Sequence, residues 1–422
     1  MPSDSPWRTP AFRHLFAATA ASQLGTHIGY VAMPLVAALA LDAGPGAVGL
    51  LATLSTAAFL LIGLPAGAWV DRLPRRPVLV AADLVRAALL ASVPLAWWLD
   101  VLSLGQLYAV VLLGGCATVF FDVASQSYLP ALVGPAALVR ANSAVVGLQA
   151  VSTVGGRGAG GLAVSALGAP AAVAVHAVSY LLSALSLARI RVTEAPRPRV
   201  RRALRAEMRE GIRHVFGHRE LRALVLGAAC ANFGSAAINT MLPVLVTRQL
   251  GLSPALLGVY WAIGGVGTFA GSVCARPLAA RFGYGRTLAT AGFLVAPAGL
   301  LIPLFDRGGW MWVAALGSLL VSVKFGTDNV LGVSLRQRLT PPELLGRMNA
   351  TFRFVLMGAL AVAAGTSGLI GEYASVRAAM WTGGAFMALA FLPVFLSPVR
   401  KRRDLPADGR LEHDLPVGTR AG

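Results

Sequence analysis

Charge is scarce in this chain of 422 residues: Asp, Glu, Lys and Arg make up 13% of it, against 56% apolar residues, and the mean hydropathy is +0.69. A soluble protein of this length needs more charge than that to cover its surface, so the solvent of this chain is largely lipid. Lysine is almost missing. Its two lysines, Lys324 and Lys401, follow Val323 and Arg400, so the Gly-Lys step of a phosphate-binding loop is absent and ATP-driven chemistry has no support. Cysteine is nearly as rare. Cys116, Cys230 and Cys274 all fall inside apolar runs, which argues against a disulfide framework or a zinc site. No metal-binding or nucleophilic constellation stands out, so neither an enzyme nor a bound cofactor is expected. The first apolar stretch, about Leu15 to Leu41, is too long for the core of a cleaved signal peptide and reads as an uncleaved first span.

Uncharged runs dominate what is present. About 20 apolar residues rising about 1.5 Å each cross a hydrocarbon core of about 30 Å. Ala43 to Val70, Val101 to Phe121, Ala223 to Thr247, Leu250 to Ala275 and Ala378 to Val399 each qualify, and seven further stretches bring the expected total to twelve. The fold class expected is therefore all-α membrane, with twelve transmembrane helices. The net charge of +18 is unevenly spread. With both termini in the cytoplasm, the clusters Arg72/Arg75/Arg76, Arg189 to Arg222, Arg276/Arg281/Arg286, Arg336/Arg338/Arg347 and Arg400 to Arg403 face inward, and only Arg248, Arg307 and Arg377 fall in outer loops. That asymmetry is the positive-inside pattern of a multi-pass protein of the cell membrane, and it accounts for the basic balance without a nucleic-acid partner.

The chain also repeats itself. Adding 209 carries Gly25, Pro34, Pro45, Gly49 and Arg72 onto Gly234, Pro243, Pro254, Gly258 and Arg281; adding 207 carries Pro135, Arg140 and Asn142 onto Pro342, Arg347 and Asn349. Two pseudo-symmetric six-helix bundles follow, over 1–190 and 220–399, with a basic linker over 191–219 and a cytoplasmic tail over 400–422. Within the linker, Leu204, Met208, Ile212 and Val215 share one helical face, as expected of a cytosolic helix lying on the membrane surface. Halves related about the membrane normal place a substrate site near the midplane between them.

Polar residues inside the spans are the candidates for that site. Gln23, Thr26, His27 and Tyr30 recur along one face of the first span, and the 209 offset maps Gln23, Thr26 and Tyr30 onto Asn232, Ser235 and Asn239 of the seventh. These stripes either line a central passage or hydrogen-bond between helices. Lys324 and Asp328 of the tenth span are four residues apart and can pair on one helix face; a structural pair, anion binding by Lys324 and proton exchange at Asp328 are all open. Asp83 and Arg86 read as a local pair, and His176 as a packing residue.

The loop after the second span runs Gly67-Ala-Trp-Val-Asp71-Arg72-Leu-Pro-Arg75-Arg76. It resembles the G-x-x-x-D-R-x-G-R-R signature of the major facilitator superfamily (MFS), with Pro74 at the usual glycine. The segments Leu129 to Asn142, Glu207 to Ala223 and Gln337 to Arg353 resemble the branch of siderophore exporters and macrolide and multidrug efflux proteins of the drug:proton antiporter type. The resemblance implies a conformational latch in which the loop Asp71 contacts the start of the eleventh span and the arginines reach an acid at the cytosolic end of the fourth, a position matched by Asp122. Gly155-Gly156-Arg157-Gly158-Ala159-Gly160-Gly161 resembles the family's antiporter signature G-P-x-x-G-G, with Arg157 in the place of proline. What the resemblance implies is a monomeric exporter of a small amphipathic compound, working by alternating access, coupled to protons and embedded in membrane lipid. Facilitated diffusion or import of a nutrient, and a membrane sensor that transports nothing, are the alternatives.

Overall fold

The computed structural model describes residues 5–70, 73–190 and 204–404. The helices in chain order are α1 (Pro10–Leu35), α2 (Pro45–Val70), α3 (Arg75–Trp98), α4 (Leu104–Leu167), α5 (Ala169–Ala188), α6 (Leu204–Gly217), α7 (Arg219–Pro243), α8 (Pro254–Phe282), α9 (Tyr284–Val295), α10 (Gly309–Arg338), α11 (Leu345–Tyr373) and α12 (Val376–Leu389), and the described residues contain no strand. Among the described residues, eleven stretches are long and apolar enough to cross a membrane. The twelfth is the second part of α4, a helix of 64 residues that holds two spans joined at Gly134, whose φ of 70° breaks the helical path. An L side chain rarely adopts that φ, and Pro135 then restarts the helix. No loop separates the fourth and fifth spans: a single residue makes the turn.

The repeat is visible in the backbone. After Pro34, α1 loosens into a π-helical stretch over Val36–Ala40, and after Pro243, α7 does the same over Val244–Gln249. Proline removes an amide donor and crowds the preceding turn, so the same residue at the same place in each half relaxes the helix in the same way.

Two ends of the bundle differ in how the halves meet. The end carrying the turns at 41–44 and 250–253, assigned to the outside by the charge distribution, is called the outer end here, and the opposite one the basic end. At the outer end one apolar core runs through both halves, from Val31, Leu35, Val48 and Val164 to Met241, Leu245, Leu257 and Met380. At the basic end there are two separate cores. One holds Phe12, Leu79, Phe121, Tyr128 and Leu187 of the N-terminal half; the other holds Val215, Leu221, Leu335, Phe352 and Val399 of the C-terminal half.

The linker helix differs from expectation. Instead of resting on lipid alone, α6 docks on α11: Arg347 pairs with Glu210 at 2.5 Å and Glu207 at 3.5 Å, and Gly211 is pressed so close to Arg347 and Thr351 that a methyl group there would meet the Arg347 carbonyl oxygen at 2.8 Å. The apolar face read from the sequence still buries Val215. Residues 398–403 form a strap across the basic end of the C-terminal half. Tyr284 and Gly285 donate backbone hydrogen bonds to the carbonyls of Arg403 and Arg402, both at 3.0 Å, and Arg402 Nε meets both carboxylate oxygens of Glu220 at 2.8 and 2.9 Å.

Candidate transport site

Glycine sets how closely the halves approach. At the outer end α4 crosses α8 where Gly161 meets Gly258: a Cβ on Gly161 would stand 2.8 Å from the Gly258 Cα and 2.9 Å from the Pro254 carbonyl oxygen. On the other side of the bundle α2 crosses α11, and a Cβ on Gly49 would stand 2.5 Å from the Gly368 Cα. These crossings are one arrangement used twice, since Gly49 and Gly258 differ by 209 and Gly161 and Gly368 by 207, the two offsets of the repeat. The other glycines of the 155–161 run divide the work: Gly156 and Gly160 admit His27 and Ile28 of α1, whereas Gly155 and Gly158 face open space. Beyond the glycines, Arg248 closes the outer end, pairing with Asp42 and donating to the Ala43 carbonyl, both at 2.5 Å. Glu372 accepts from the Gly46 amide at 2.9 Å.

One turn of α4 below the Gly161 crossing, side chains from both halves meet. The Arg157 guanidinium lies 4.6 Å from the centroid of the Tyr30 ring. Tyr30 in turn stands edge-to-face with Trp261 of α8, centroids 5.3 Å apart. Trp261 donates from Nε1 to Asn239 Oδ1 of α7 at 2.6 Å, and Asn239 donates onward to Ser235 Oγ at 3.0 Å. His27 lies within hydrogen-bond reach of Thr153 on the face of α4 next to Arg157, 3.3 Å away. The structure thus gathers His27, Tyr30, Arg157 and Asn239 at one junction near the midplane; Arg157 is ten residues from the outer end of α4, about 15 Å along the helix. Tyr30 remains 41% exposed there, so part of an aromatic face is left open at the seam between halves.

The rest of the two polar stripes stays within its own half. Thr26 Oγ1 meets the Tyr180 hydroxyl at 3.0 Å, and Asn232 donates to the Ala228 carbonyl one turn back at 2.8 Å. Gln23 makes no side-chain hydrogen bond among the described residues. Trp261, Thr153 and Tyr180 are the members of these contacts that sequence reasoning missed; Trp261 was findable, as the one tryptophan of its span, a large aromatic with a polar N–H to satisfy.

Lys324 and Asp328 pair on α10, inside the C-terminal half rather than at the junction. Beside them is a cavity of about 60 Å³ lined by Gly227, Ala231, Gly292, Met387 and Phe391, space enough for water. In the N-terminal half Arg86 pairs with Asp83 and is held between the rings of Phe121 and Tyr180, 4.3 and 4.1 Å from their centroids. His176 packs on Tyr180 with centroids 4.7 Å apart, in a notch left by Gly25 and Gly29 of α1.

Of the latch residues, Asp71 and Arg72 lie outside the described residues, and Gly67 lies near the basic end of α2. Arg75 begins α3 and is buried, and Arg76 donates to the last carbonyls of α5, at Leu187 (3.3 Å) and Ala188. That arrangement suits a cation at a helix C-terminus. Asp122 has a partner the sequence did not name. Arg353 of α11 reaches across the seam to within 3.8 Å of it, with the Arg353 guanidinium 4.3 Å from the Phe59 ring centroid of α2. Both side chains are over 40% exposed, so this ion pair is a weak tie, worth about 0.2–1 kcal/mol.

The sequence model of the Major Facilitator Superfamily matches residues 15–356. The multidrug efflux pump Tap of Mycobacterium tuberculosis is 27% identical over 430 residues, covering 98% of each chain. Tap of Mycolicibacterium fortuitum is 29% identical over 384 residues, 86% of this chain and 88% of its own. Among solved structures, the nucleoside transporter NupG superposes with a TM-score of 0.74 at 10% identity over 91% of this chain and 99% of its own, a likeness of fold.

Proposed function

The chain belongs to the Major Facilitator Superfamily, and we propose that it exports a small amphipathic compound across the cell membrane by alternating access, driven by protons. The observation that carries the reading is the junction of Arg157, Tyr30, Trp261 and Asn239, which offers aromatic surface and hydrogen-bonding groups from both halves at once. A cargo held there touches both moving bodies, so its binding can be linked to their rocking. The shared core at the outer end and the separate cores at the basic end fit a state in which cargo enters from the cytoplasm, with both termini on that side. Likeness to pumps named for multidrug efflux supports export over import.

In this reading the chain works as a monomer whose two bundles, 1–190 and 220–399, move against each other, joined by the 191–219 linker and followed by the 400–422 tail. Asp328 exchanges the coupling proton, with Lys324 as its counter-charge. Gly67, Asp71, Arg72, Arg75, Arg76 and Asp122 form the latch that sets the balance between the two states; Gln23 and Asn232 line the approach to the junction. The test is purified protein in proteoliposomes with an internal pH dye and a panel of macrolides, siderophores and other amphipathic compounds. Substrate-dependent proton movement that is lost in Trp261→Ala and uncoupled in Asp328→Asn is the expected result. Labelled compound moving without proton flux would replace the reading with facilitated diffusion, and no movement across the panel would leave a sensor.

A further inference from the structure

Three cations within the spans each face a carboxylate. Arg86 has Asp83, Lys324 has Asp328 and Arg353 has Asp122. Arg157 has none: among the described residues no carboxylate lies within 4.0 Å of it, and its buried Nε has no hydrogen-bond acceptor. Its neighbours, the Tyr30 ring and the imidazole of His27, bring no negative charge. A guanidinium cannot shed its proton, and a cation near the midplane of a membrane protein whose one contact partner is an aromatic face is costly, so the site suits a negative group from outside the chain. We propose that the cargo supplies it: the transported compound carries an anionic oxygen group, such as a carboxylate, that docks on Arg157 while its apolar body lies on the open face of Tyr30 and against Trp261. This deepens the export reading and rests on it for the word cargo. Arginine is suited to the task because its planar fork offers parallel N–H donors to two anionic oxygens.

The experiment is a binding measurement on the purified full-length chain, using dansylaminoundecanoic acid and its methyl ester as fluorescent probes. Wild type should bind the acid about tenfold more tightly than the ester, as a charge-assisted hydrogen bond implies. Arg157→Gln should bring the two affinities together, Arg157→Lys should keep part of the preference, and Trp261→Ala should weaken both probes alike. Absence of an acid preference in wild type, including failure to bind either probe, or a preference that survives in Arg157→Gln, would overturn the assignment. Transport does not enter this readout, so an acid preference without proton-linked movement in proteoliposomes would sink the export reading and leave the anion site standing.

Four more cations, without carboxylate partners among the described residues, surround a cavity of about 430 Å³ at the basic end of the C-terminal half. Arg219 and Arg222 come from the start of α7, Arg400 and Lys401 from the strap, and the adjacent Glu220 is already engaged with Arg402 at 2.8 Å. Leu226 and Leu396, 41% and 74% exposed, form its apolar side. The geometry points to an anionic phospholipid, its phosphate among the four cations and its acyl chains along the leucines, at the level where basic pockets between membrane helices meet headgroups. Native mass spectrometry of the full chain with phosphatidylglycerol and phosphatidylcholine tests it. Wild type should retain phosphatidylglycerol preferentially, and Arg222→Gln/Arg400→Gln/Lys401→Gln should lose about tenfold of that retention. Equal retention of both lipids, an unchanged preference in the triple variant, or full displacement of the lipid by inorganic phosphate would overturn it.

Discussion

Placing a methyl group at Gly161 should loosen the outer end and leave the basic end untouched. An alanine Cβ there would stand 2.8 Å from the Gly258 Cα and 2.9 Å from both the Gly258 amide nitrogen and the Pro254 carbonyl oxygen. Carbon atoms rest about 3.5–4.0 Å apart, so α4 and α8 must separate by roughly 1 Å, and backbone atoms cannot turn aside as a side chain does. Overpacking of this kind costs about 1–3 kcal/mol. The cost falls only on the state in which this crossing is made, so the population sealed at the outer end should drop by about 5- to 150-fold relative to the state open there. Ser165 and Ser253 report that seal, since their hydroxyls are 3.1 Å apart just beyond the crossing. With Cys116, Cys230 and Cys274 replaced, the rate of oxidative cross-linking of Ser165→Cys/Ser253→Cys in membranes should fall in Gly161→Ala, by up to that factor where the sealed state is the minor one. Gly155→Ala is the control, on the same helix and gaining the same helix propensity, because its Cβ would meet nothing within 4 Å. An unchanged rate in Gly161→Ala, or an equal fall in Gly155→Ala, would refute the reasoning.

Three other outcomes follow from the ion pairs and histidines. At the partly buried Lys324–Asp328 pair, Lys324→Gln and Asp328→Asn alone each leave one charge without its partner and should lower the melting temperature in detergent more than the double variant does; a double variant as unstable as the sum of the singles would show the two do not interact. At the outer end, Asp42 is 88% exposed, so Asp42→Asn should cost under about 1 kcal/mol, while Arg248→Gln, which also loses the bond to the Ala43 carbonyl, should cost more; chemical denaturation ranks them. Where α6 meets α7, burial is the main cause holding His214 and His218 below the ordinary imidazole value of 6.5; His218 adds to this for His214 and Glu210 opposes it, while for His218 Glu220 opposes and Arg402 adds. Both pKa values are depressed on folding, so the unfolded chain takes up protons first, and stability should be full above about pH 6.5 and decline as pH falls below it. Replacing both histidines with glutamine should flatten that decline in thermal melts between about pH 7.5 and about pH 5.5, and an unaltered slope would count against it.

The spans were legible because hydrocarbon imposes a length and an apolar composition that few other settings require, and the duplication because proline and glycine act on the backbone at fixed places: Pro34 and Pro243 each loosen a helix, and Gly49 and Gly258 each mark a crossing. The pairs Asp83–Arg86 and Lys324–Asp328 were legible because each lies on one helix, where spacing alone decides who meets whom. Contacts between helices were not. Nothing in the order of residues says that Arg353 faces Asp122, that Trp261 bridges Tyr30 and Asn239, or that α6 settles on Arg347, since each depends on the rotation of two helices packed about their own axes. The fusion of two spans into α4 was hidden for another reason. The sequence around Gly134 and Pro135 carries the turn signals of a loop, and the structure uses them for a turn of one residue.

The strap over 398–403 also has a consequence for the order of biosynthesis. Glu220 and the α8–α9 turn leave the ribosome and enter the membrane well before Arg402 and Arg403 are made, yet those last residues supply the carboxylate's partner and the carbonyls that Tyr284 and Gly285 bind. Until then the basic end of the C-terminal half is unclasped, with a buried glutamate lacking its counter-ion. A chain that ends before residue 398 and has been released from the ribosome should therefore be a recognisable substrate for membrane quality-control proteases, even with every transmembrane helix inserted.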